Sequence, residues 1–380
     1  MKILFLTGSR SDWGYIKHIV EICKKKKINH KLCATNMLLL DSFGGAVNEI
    51  KKDGFRVHEE IYMSLDGFNE YTTVKSMGVF MISFTDIIKN YKPDWVVLAG
   101  DRYETMTAAL VCAYTNTPIA HIQAGEVSGN IDGQARHAIG KFAHLHFASN
   151  EDAKNRLLKL GEETFRIKVV GAPQLDDIEN LKKKSNDFNK IRTIYNLPEK
   201  NRYYLVIFHS VTEEIKSLRQ HFKILFNSLE KSKLKKIWVL PNNDPGSSII
   251  RNYLVKSRNN ENLIYENFPR EHYLQIMKNC KTIIGNSSSG IIESGSFKLP
   301  AINIGRRQNK RFKGLNVIDV SKITEKEIFN AIKKSESKKF LKNISKIQNP
   351  YGDGKSSERI LSILKKMIKQ KSLITKEMTY

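Results

Sequence analysis

The sequence has few cysteines and no pattern that would pair them. Its four cysteines are widely scattered, and no Cys-x-x-Cys motif occurs. Each lies in or beside an apolar run, which is typical of reduced thiols rather than of a disulfide framework. The apolar stretch at the N-terminus is too short for the core of a signal peptide or for a membrane span. These absences predict a cytoplasmic protein without a membrane partner.

Metal-ligand spacing and a dinucleotide fingerprint are also missing. His144 and His146 alternate in a predicted strand, and no cysteine or second histidine cluster accompanies them. The turn after the first predicted strand, TGSRSDWGY, lacks the Gly-x-Gly-x-x-Gly pattern that binds dinucleotides. The sequence therefore predicts no bound metal, and nicotinamide is disfavoured as a cofactor.

Positive charge is abundant, with 63 Lys and Arg against 39 Asp and Glu and a net charge of +24. Such a balance is typical of proteins that bind nucleic acid. The lysines, however, are spread over the whole chain, and aromatic residues are not interleaved with them. This distribution favours a solvated basic surface that helps to attract an anionic substrate, and it predicts no nucleic-acid partner.

Short β-branched runs alternate with amphipathic stretches through most of the 380 residues, a length that favours two domains. A polar segment at 182–201 interrupts the alternation, which then restarts. We predict an α/β protein with two Rossmann-like domains, 1–182 and 198–354, facing a cleft. Ligands in such sheets bind beyond the carboxyl ends of the strands. The strand-like runs are KILFLT, KLCAT, DWVVLAG, PIAHIQA, LHFAS and RIKVVG in the first half, then YYLVIFHS, KKIWVLP, NLIYEN, KTIIGNS, PAINIG and NVIDV.

In the first half, charged residues follow two of these runs directly. Arg10 follows the first run, where an arginine and free N–H groups at a helix start can bind an anion. Asp101 and Arg102 follow the run DWVVLAG. The aspartate can do acid-base work or hold a sugar hydroxyl, and the arginine can pair with phosphate. The alternative is a helix cap with an exposed arginine.

The segment 121–141 is the richest in chemistry. It places several ionisable residues in a glycine-punctuated stretch between a predicted strand and a predicted helix, where catalytic residues concentrate. The alternative is that Asp132 caps the helix and the others are solvated. The residues concerned are His121, Glu126, Asp132, Arg136 and His137.

The second half carries two comparable strand ends. His209 ends the run YYLVIFHS and can donate to a diphosphate or act as a general acid. Ser287 and Ser288 follow an apolar strand and precede a predicted helix, an arrangement that suits a diphosphate. Glu293 lies one turn further, within reach of a ribose diol. The alternative here is a serine-capped helix without a ligand.

With these residues placed, the chain resembles the hydrolysing branch of the UDP-N-acetylglucosamine 2-epimerase family. The resemblance runs from about residue 2 to about residue 361. The motifs that carry it occur in one order along the chain: GSRSD, GDR, GEVSGNIDGQARHAI, LPNNDPGS, IGNSSSGIIESG and YGDG.

The resemblance implies a glycosyltransferase-B-like fold, a helix in 355–380 that packs back on the first domain, and a homodimer or homotetramer. It places catalytic carboxylates at Asp101 and Asp132, with Arg136 in the same motif. It implies a nucleotide-sugar substrate and no cofactor. The nucleotide contacts that it implies are Arg10, Arg102, His209, Asn242, Phe268, Ser287, Ser288, Glu293 and Arg307.

Gln123 departs from the family pattern, which has a glutamate at this position. Glutamine cannot transfer a proton, so either Glu126 takes the acid-base role or Asp101 and Asp132 carry it between them. The expected reaction inverts the C2 acetamido centre and releases the nucleotide diphosphate. The alternatives are a glycosyltransferase of the same fold and a non-hydrolysing epimerase, and the segments LPNNDPGS and GEVSGNID disfavour the latter.

Overall fold

The computed structural model describes residues 1–66, 69–128, 131–183, 188–242, 244–368, 370 and 373–379. The chain forms two compact units. The first comprises Met1–Val127, Ile131–Asp177 and Tyr351–Tyr380, and the second comprises Ser128–Asn130 and Ile178–Pro350. Each unit contains a parallel sheet with helices in its connections. The predicted α/β class with two Rossmann-like domains is confirmed.

The first unit has a seven-stranded sheet in the order β3-β2-β1-β4-β5-β6-β7. Its central strands are buried throughout because helices cover both faces of a parallel sheet, which is why they are apolar at successive positions. The strands are β1 Lys2–Thr7, β2 Asn29–Thr35, β3 Glu59–Ile61, β4 Trp95–Ala99, β5 Ile119–Ile122, β6 Leu145–Ala148 and β7 Ile167–Val169.

Helices connect these strands, and several begin at side chains that cap them. Ser9 accepts a hydrogen bond from the N–H of Asp12, and Asn69 forms a capping box with Thr72. The helices are α1 Arg10–Lys25, α2 Ala46–Lys52, α3 Glu70–Tyr91, α4 Tyr103–Tyr114, α5 Ile131–Phe142 and α6 Glu151–Lys159. Helix α7, Asp176–Lys183, follows β7 and contains the boundary between the units.

The second unit has a six-stranded sheet in the order β10-β9-β8-β11-β12-β13. Its strands are β8 Tyr203–Ile207, β9 Lys235–Val239, β10 Asn262–Tyr265, β11 Thr282–Gly285, β12 Ala301–Ile304 and β13 Val317–Val320. Its helices are α8 Phe188–Tyr195, α9 Ile215–Glu230, α10 Ser247–Lys256, α11 Arg270–Asn279, α12 Ser289–Ile292, α13 Glu325–Glu336 and α14 Lys338–Ile344.

The last helix, α15 Ser356–Met367, belongs to the first unit. Its residues Ile360, Leu361 and Leu364 are buried in the core that α1 also lines. The Asp176 carboxylate accepts the N–H groups of Ser356 and Ser357 at 3.0 and 2.8 Å, which caps the helix from a distant part of the chain.

Three local features differ from the sequence prediction. Strand β3 was not predicted, and α8 lies within the polar segment 182–201, of which residues 184–187 lie outside the described part. The helix predicted after Ser288 is only the four-residue α12. Among the described residues, no helix is long and apolar enough to cross a membrane.

Candidate active site

Arg136 joins two strand ends in the first unit. It lies on α5 and is 2% exposed. One of its terminal nitrogens donates to the carboxylate of Asp101, which follows β4, and the other donates to the carbonyl oxygen of Gln123 at 3.0 Å. The charged pair is largely buried, since the side chain of Asp101 is 18% exposed. The structure therefore brings three predicted residues into one hydrogen-bonded group.

The backbone of Gln123 is in the left-handed region, with φ of 59°. This region is unfavourable for residues other than glycine, and such strain is often retained at functional sites. The side chain is buried, and its amide nitrogen has no hydrogen-bond partner within the described residues. A buried donor without a partner is unusual and marks a position where a ligand can supply an acceptor.

His121 connects β5 to the turn that precedes Asp101. Its Nε2 is 2.7 Å from the carbonyl oxygen of Gly100, so this nitrogen carries the proton and donates. Burial lowers the pKa of His121 to about 3. The ring is therefore neutral at physiological pH and serves to fix the turn.

Glu126 and Asp132 are the other predicted carboxylates of this unit. Glu126 is 2% exposed and accepts a hydrogen bond from the side-chain amide of Asn150 at 3.3 Å. Asp132 lies in the first turn of α5, one turn before Arg136, and is half-buried. Both are carried by the segment that follows β5.

The two predicted phosphate-binding arginines of the first unit are paired with carboxylates. Arg10, the first residue of α1, lies 2.9 Å from Glu49. Arg102 lies 3.0 Å from Glu104, whose side chain is fully buried. Both pairs were absent from the sequence prediction, because neither glutamate was recognised as a partner.

In the second unit, His209 follows β8 and is 7% exposed. Its Nδ1 accepts the backbone N–H of Asn242 at 3.3 Å, so the proton of the neutral ring is on Nε2. Burial, with a smaller effect from Arg307, lowers the pKa of His209 well below its ordinary value. This geometry favours a neutral N–H donor over a charged general acid.

The serine-rich turn after β11 is closely packed. A Cβ at Gly285, where φ is 133°, would lie 2.6 Å from the carbonyl carbon of Ile207, so only glycine fits here. The Ser287 hydroxyl lies 3.0 Å from that of Ser289, which in turn lies 2.6 Å from the Tyr273 hydroxyl. The hydroxyl groups thus form a chain that begins at the strand end.

The remaining predicted nucleotide contacts lie at neighbouring strand ends of the second sheet. Glu293 is ion-paired with Arg270 at 3.1 Å. Phe268 is 5% exposed, with its ring packed on Tyr195 and Tyr265, so its backbone is the part that a base can contact. Arg307 donates to the carbonyl oxygen of Asn286 at 3.3 Å.

Sequence reasoning missed several polar residues of these strand ends. Arg270 begins α11 shortly after β10, and Gln308 donates to the carbonyl oxygen of Asn286 at 2.9 Å. Both follow strands closely, so the rule that singled out His209 could have found them. Among the residues that the structure describes, no group of three or more His, Cys, Asp and Glu could hold a metal ion.

Comparisons with known proteins identify the family of the chain. The family model for UDP-N-acetylglucosamine 2-epimerase matches residues 20–365. A UDP-N,N′-diacetylbacillosamine 2-epimerase (hydrolyzing) from Legionella pneumophila is 34% identical over 366 residues, covering 96% of this chain and 95% of the relative. A GDP/UDP-N,N′-diacetylbacillosamine 2-epimerase (hydrolyzing) from Campylobacter jejuni is 35% identical over 351 residues, covering 90% of this chain and 89% of the relative.

Solved structures share the fold. The UDP-GlcNAc 2-epimerase from Neisseria meningitidis bound to UDP-GlcNAc superimposes with a TM-score of 0.82 at 18% identity, covering 96% of this chain and all of that one. At this identity the likeness concerns the fold alone, while the match of the family model extends over most of the sequence. The chain therefore belongs to the UDP-N-acetylglucosamine 2-epimerase family.

Proposed function

We propose that the protein is a hydrolysing 2-epimerase, which converts a nucleotide-linked 2-acetamido sugar and water into the free manno-configured sugar and the nucleotide diphosphate. The observation that carries the proposal is the buried group in which Arg136 binds both Asp101 and Gln123. This group lies at the strand ends of a fold shared with nucleotide-sugar epimerases. The elimination and hydration steps need no nicotinamide, because neither step transfers a hydride.

The first step cleaves the C1–O bond and removes the proton from C2, giving a 2-acetamidoglycal and the nucleotide diphosphate. The C2 proton is weakly acidic, so departure of the diphosphate leads and must be stabilised. In the second unit, the neutral N–H of His209, the Ser287 and Ser288 turn and Arg307 provide donors for the diphosphate. In the first unit, Arg10 and Arg102 provide positive charge.

The second step adds water at C1 and a proton at C2 on the opposite face. Two groups that exchange protons are therefore needed, one for each face of the sugar. Either Glu126 takes the acid-base role that Gln123 cannot perform, or Asp101 and Asp132 carry the two roles between them. Gln123 serves as a donor that holds the substrate, since its amide cannot exchange a proton in the reaction. Residues 1–182 thus supply the chemistry, residues 198–354 bind the nucleotide, and 355–380 complete the first domain.

The substrate that we favour is the UDP- or GDP-linked N,N′-diacetylbacillosamine. The two relatives above, at 34% and 35% identity, are named for this sugar. UDP-GlcNAc, which would give ManNAc, is the second candidate. Either product would feed the synthesis of a nonulosonic acid, legionaminic acid for the first and sialic acid for the second.

The test is an NMR time course in D₂O with each nucleotide sugar. We expect a free manno-configured sugar that carries deuterium at C2, together with the nucleotide diphosphate. Asp101→Asn and Asp132→Asn should each lower turnover by a factor of about a hundred or more. Asp53→Asn is the matched control, because Asp53 forms an exposed ion pair with Lys17. Intact substrates without exchange would favour the glycosyltransferase alternative.

We also propose that the enzyme is a cytoplasmic homodimer or homotetramer. All four cysteines are free and buried, which agrees with a reducing compartment. Helix α3 exposes the large apolar side chains of Tyr71, Val74 and Ile82, at 80%, 66% and 74%. A second copy would cover such a face. Ile82→Lys should lower the mass measured by sedimentation, whereas Lys52→Glu, an exposed change on α2, should leave it unchanged.

A further inference from the structure

A cluster of two buried carboxyl groups and one arginine lies beside the turns that follow β1 and β4. Glu104, in the first turn of α4, is 0% exposed, and Asp12, in the first turn of α1, is 3% exposed. Arg102 precedes α4 and donates to Glu104 at 3.0 Å. Burying two carboxyl groups is costly unless their charges are balanced, so the cluster calls for a functional explanation.

Glu104 packs directly against the turn after β1. A Cβ at Gly8 would lie 2.8 Å from the carboxyl carbon of Glu104, so the absence of a side chain at Gly8 makes room for this carboxylate. One oxygen of Glu104 accepts from Arg102, and the other has no hydrogen-bond partner among the described residues. The carboxylate is therefore held by close packing on one side and by the guanidinium on the other.

Asp12 connects the same two turns. One of its carboxyl oxygens accepts the N–H of Gly8 at 3.3 Å. The other oxygen lies 3.6 Å from the position that a Cβ of Gly100 would occupy. Gly100 immediately precedes Asp101 in the chain. The turn that carries Arg10 and the turn that carries Asp101 and Arg102 thus share one buried carboxyl group.

We propose that Glu104 is a positioning residue for Arg102, and that Asp12, buried beside both turns, tunes the charge of the cluster so that the guanidinium stays oriented for an anionic ligand. The inference rests on the proposed function in one respect, that Arg102 contacts the nucleotide diphosphate. Arg102 and Glu104 then contribute one positive and one negative charge to the cluster. A second negative charge would compete with the ligand for Arg102.

The charges that face Asp12 support this assignment. Burial, with a smaller effect from the carboxylate of Glu104, raises the pKa of Asp12 to about 7 against the opposing effect of Arg102. Since the folded pKa exceeds the ordinary value, the stabilisation due to this proton is complete in acid and is lost as the pH rises towards about 7. Above that pH the charged Asp12 weakens the hold of Arg102 on an anion.

The first test needs no ligand. Carboxyl-labelled aspartate would be followed by ¹³C NMR, with Asp12 identified by the signal that Asp12→Asn removes. We expect this signal to titrate well above the ordinary range of aspartate, and to titrate at lower pH in Glu104→Gln because a neighbouring negative charge is gone. A titration in the ordinary range, or one that Glu104→Gln leaves in place, would overturn the role of Asp12.

The second test is a double-mutant cycle on the dissociation constant of UDP and of GDP. Glu104→Gln should raise the dissociation constant about tenfold, a change in free energy equal to that of a shift of one pKa unit. In an Arg102→Gln background the same change should have little further effect, since the two residues act as one. Additive losses, or a lower melting temperature with unchanged binding, would reduce Glu104 to a structural residue and overturn the proposal.

Asp53→Asn is again the control. A last comparison follows the affinity for the nucleotide as the pH changes. The wild-type affinity should fall relative to that of Asp12→Asn as the pH rises from about 6 to about 8, because only the wild type gains a negative charge at Asp12. If no variant binds either nucleotide, the proposed function fails at its nucleotide-binding step, and the NMR titration still decides whether the carboxyl pair exists.

Discussion

The side chain of Asn286 forms hydrogen bonds with both backbone polar groups of His209. Its Oδ1 accepts the N–H of His209 at 2.7 Å, and its Nδ2 donates to the carbonyl oxygen of His209 at 2.9 Å. The two residues are 77 positions apart and follow the adjacent strands β8 and β11. One amide therefore fixes the two strand ends that carry the proposed diphosphate donors.

Replacing Asn286 by alanine would leave two buried backbone groups of His209 without partners. Unsatisfied buried groups of this kind cost about 1–3 kcal/mol each, so we expect the free energy of unfolding to fall by about 2–6 kcal/mol. Urea denaturation would measure the change. Asn309→Ala, at an exposed position, is the control. Equal stability of the two variants would contradict the role of Asn286.

Acid should destabilise the first unit through two buried histidines. Burial lowers the pKa of His121 to about 3 and that of His144 to about 4. Both are neutral in the folded protein, whereas the unfolded chain binds protons below about pH 6.5. The free energy of unfolding is therefore highest above about pH 6.5. Below this value it falls by up to about 1.4 kcal/mol per pH unit for each histidine.

Denaturation at pH 7.5, 6 and 5 would measure this slope in the wild type and in His144→Gln. The variant keeps an acceptor for the N–H of Ile119, which His144 Nδ1 accepts at 3.1 Å, but it has no proton to gain. We expect a shallower slope below pH 6.5 in the variant. The data at pH 7.5 serve as the reference, and parallel slopes would refute the assignment to His144.

Lys376 should stabilise the end of α5 from the C-terminal segment. Its ammonium lies 2.7 Å from the buried Glu162 carboxylate. It also donates to three carbonyl oxygens at the end of α5 and just beyond, those of Gly140, Lys141 and Ala143. Breaking such a buried pair costs about 3 kcal/mol or more, so Lys376→Met should lower stability by about this amount.

Hydrogen exchange would locate the effect of Lys376→Met, with faster exchange expected at 139–143. Lys366→Met, an exposed change on α15, is the control. If both variants exchange like the wild type, the contacts of Lys376 do not stabilise α5.

Arg136 should not tolerate lysine. A guanidinium can bind Asp101 and the carbonyl oxygen of Gln123 at once, whereas an ammonium cannot reproduce the fork. We expect Arg136→Lys to lower kcat/KM by about a hundredfold, measured as release of nucleotide diphosphate. Arg219→Lys, at an exposed position on α9, is the control. Similar activities of the two variants would remove Arg136 from the catalytic group.

Periodicity and strand-end position predicted most of what positions the site. Helix α3 spans Glu70–Tyr91, where the Asn69 cap and a buried stripe define it locally. The strand-end rule singled out Asp101 and His209, since it depends only on where apolar runs stop. Such features are encoded by neighbouring residues, so a single sequence contains them.

Features that depend on distant parts of the chain could not be predicted. The Arg10 partner Glu49 lies 39 positions away, and no local pattern indicates the pairing. Two local features were also missed. Helix α12 ends after four residues and is followed by a tighter 3₁₀ turn at Ser294–Phe297. Strand β3 has only three residues, two of them glutamates, which is too little for a β pattern.

The return of α15 to the first unit has a consequence for biosynthesis. Ile360, Leu361, Leu364, Met367 and Leu373 complete a core whose other buried members lie before residue 171, so this late segment must be synthesised before that core can close. Until then the nascent first domain exposes the apolar surface that α15 later covers, a state prone to misassembly and to capture by chaperones. The second domain, which is continuous from Ile178 to Pro350 apart from a short segment, can fold earlier even though it is encoded later. The order of folding during translation is thus reversed relative to the order of the domains in the sequence.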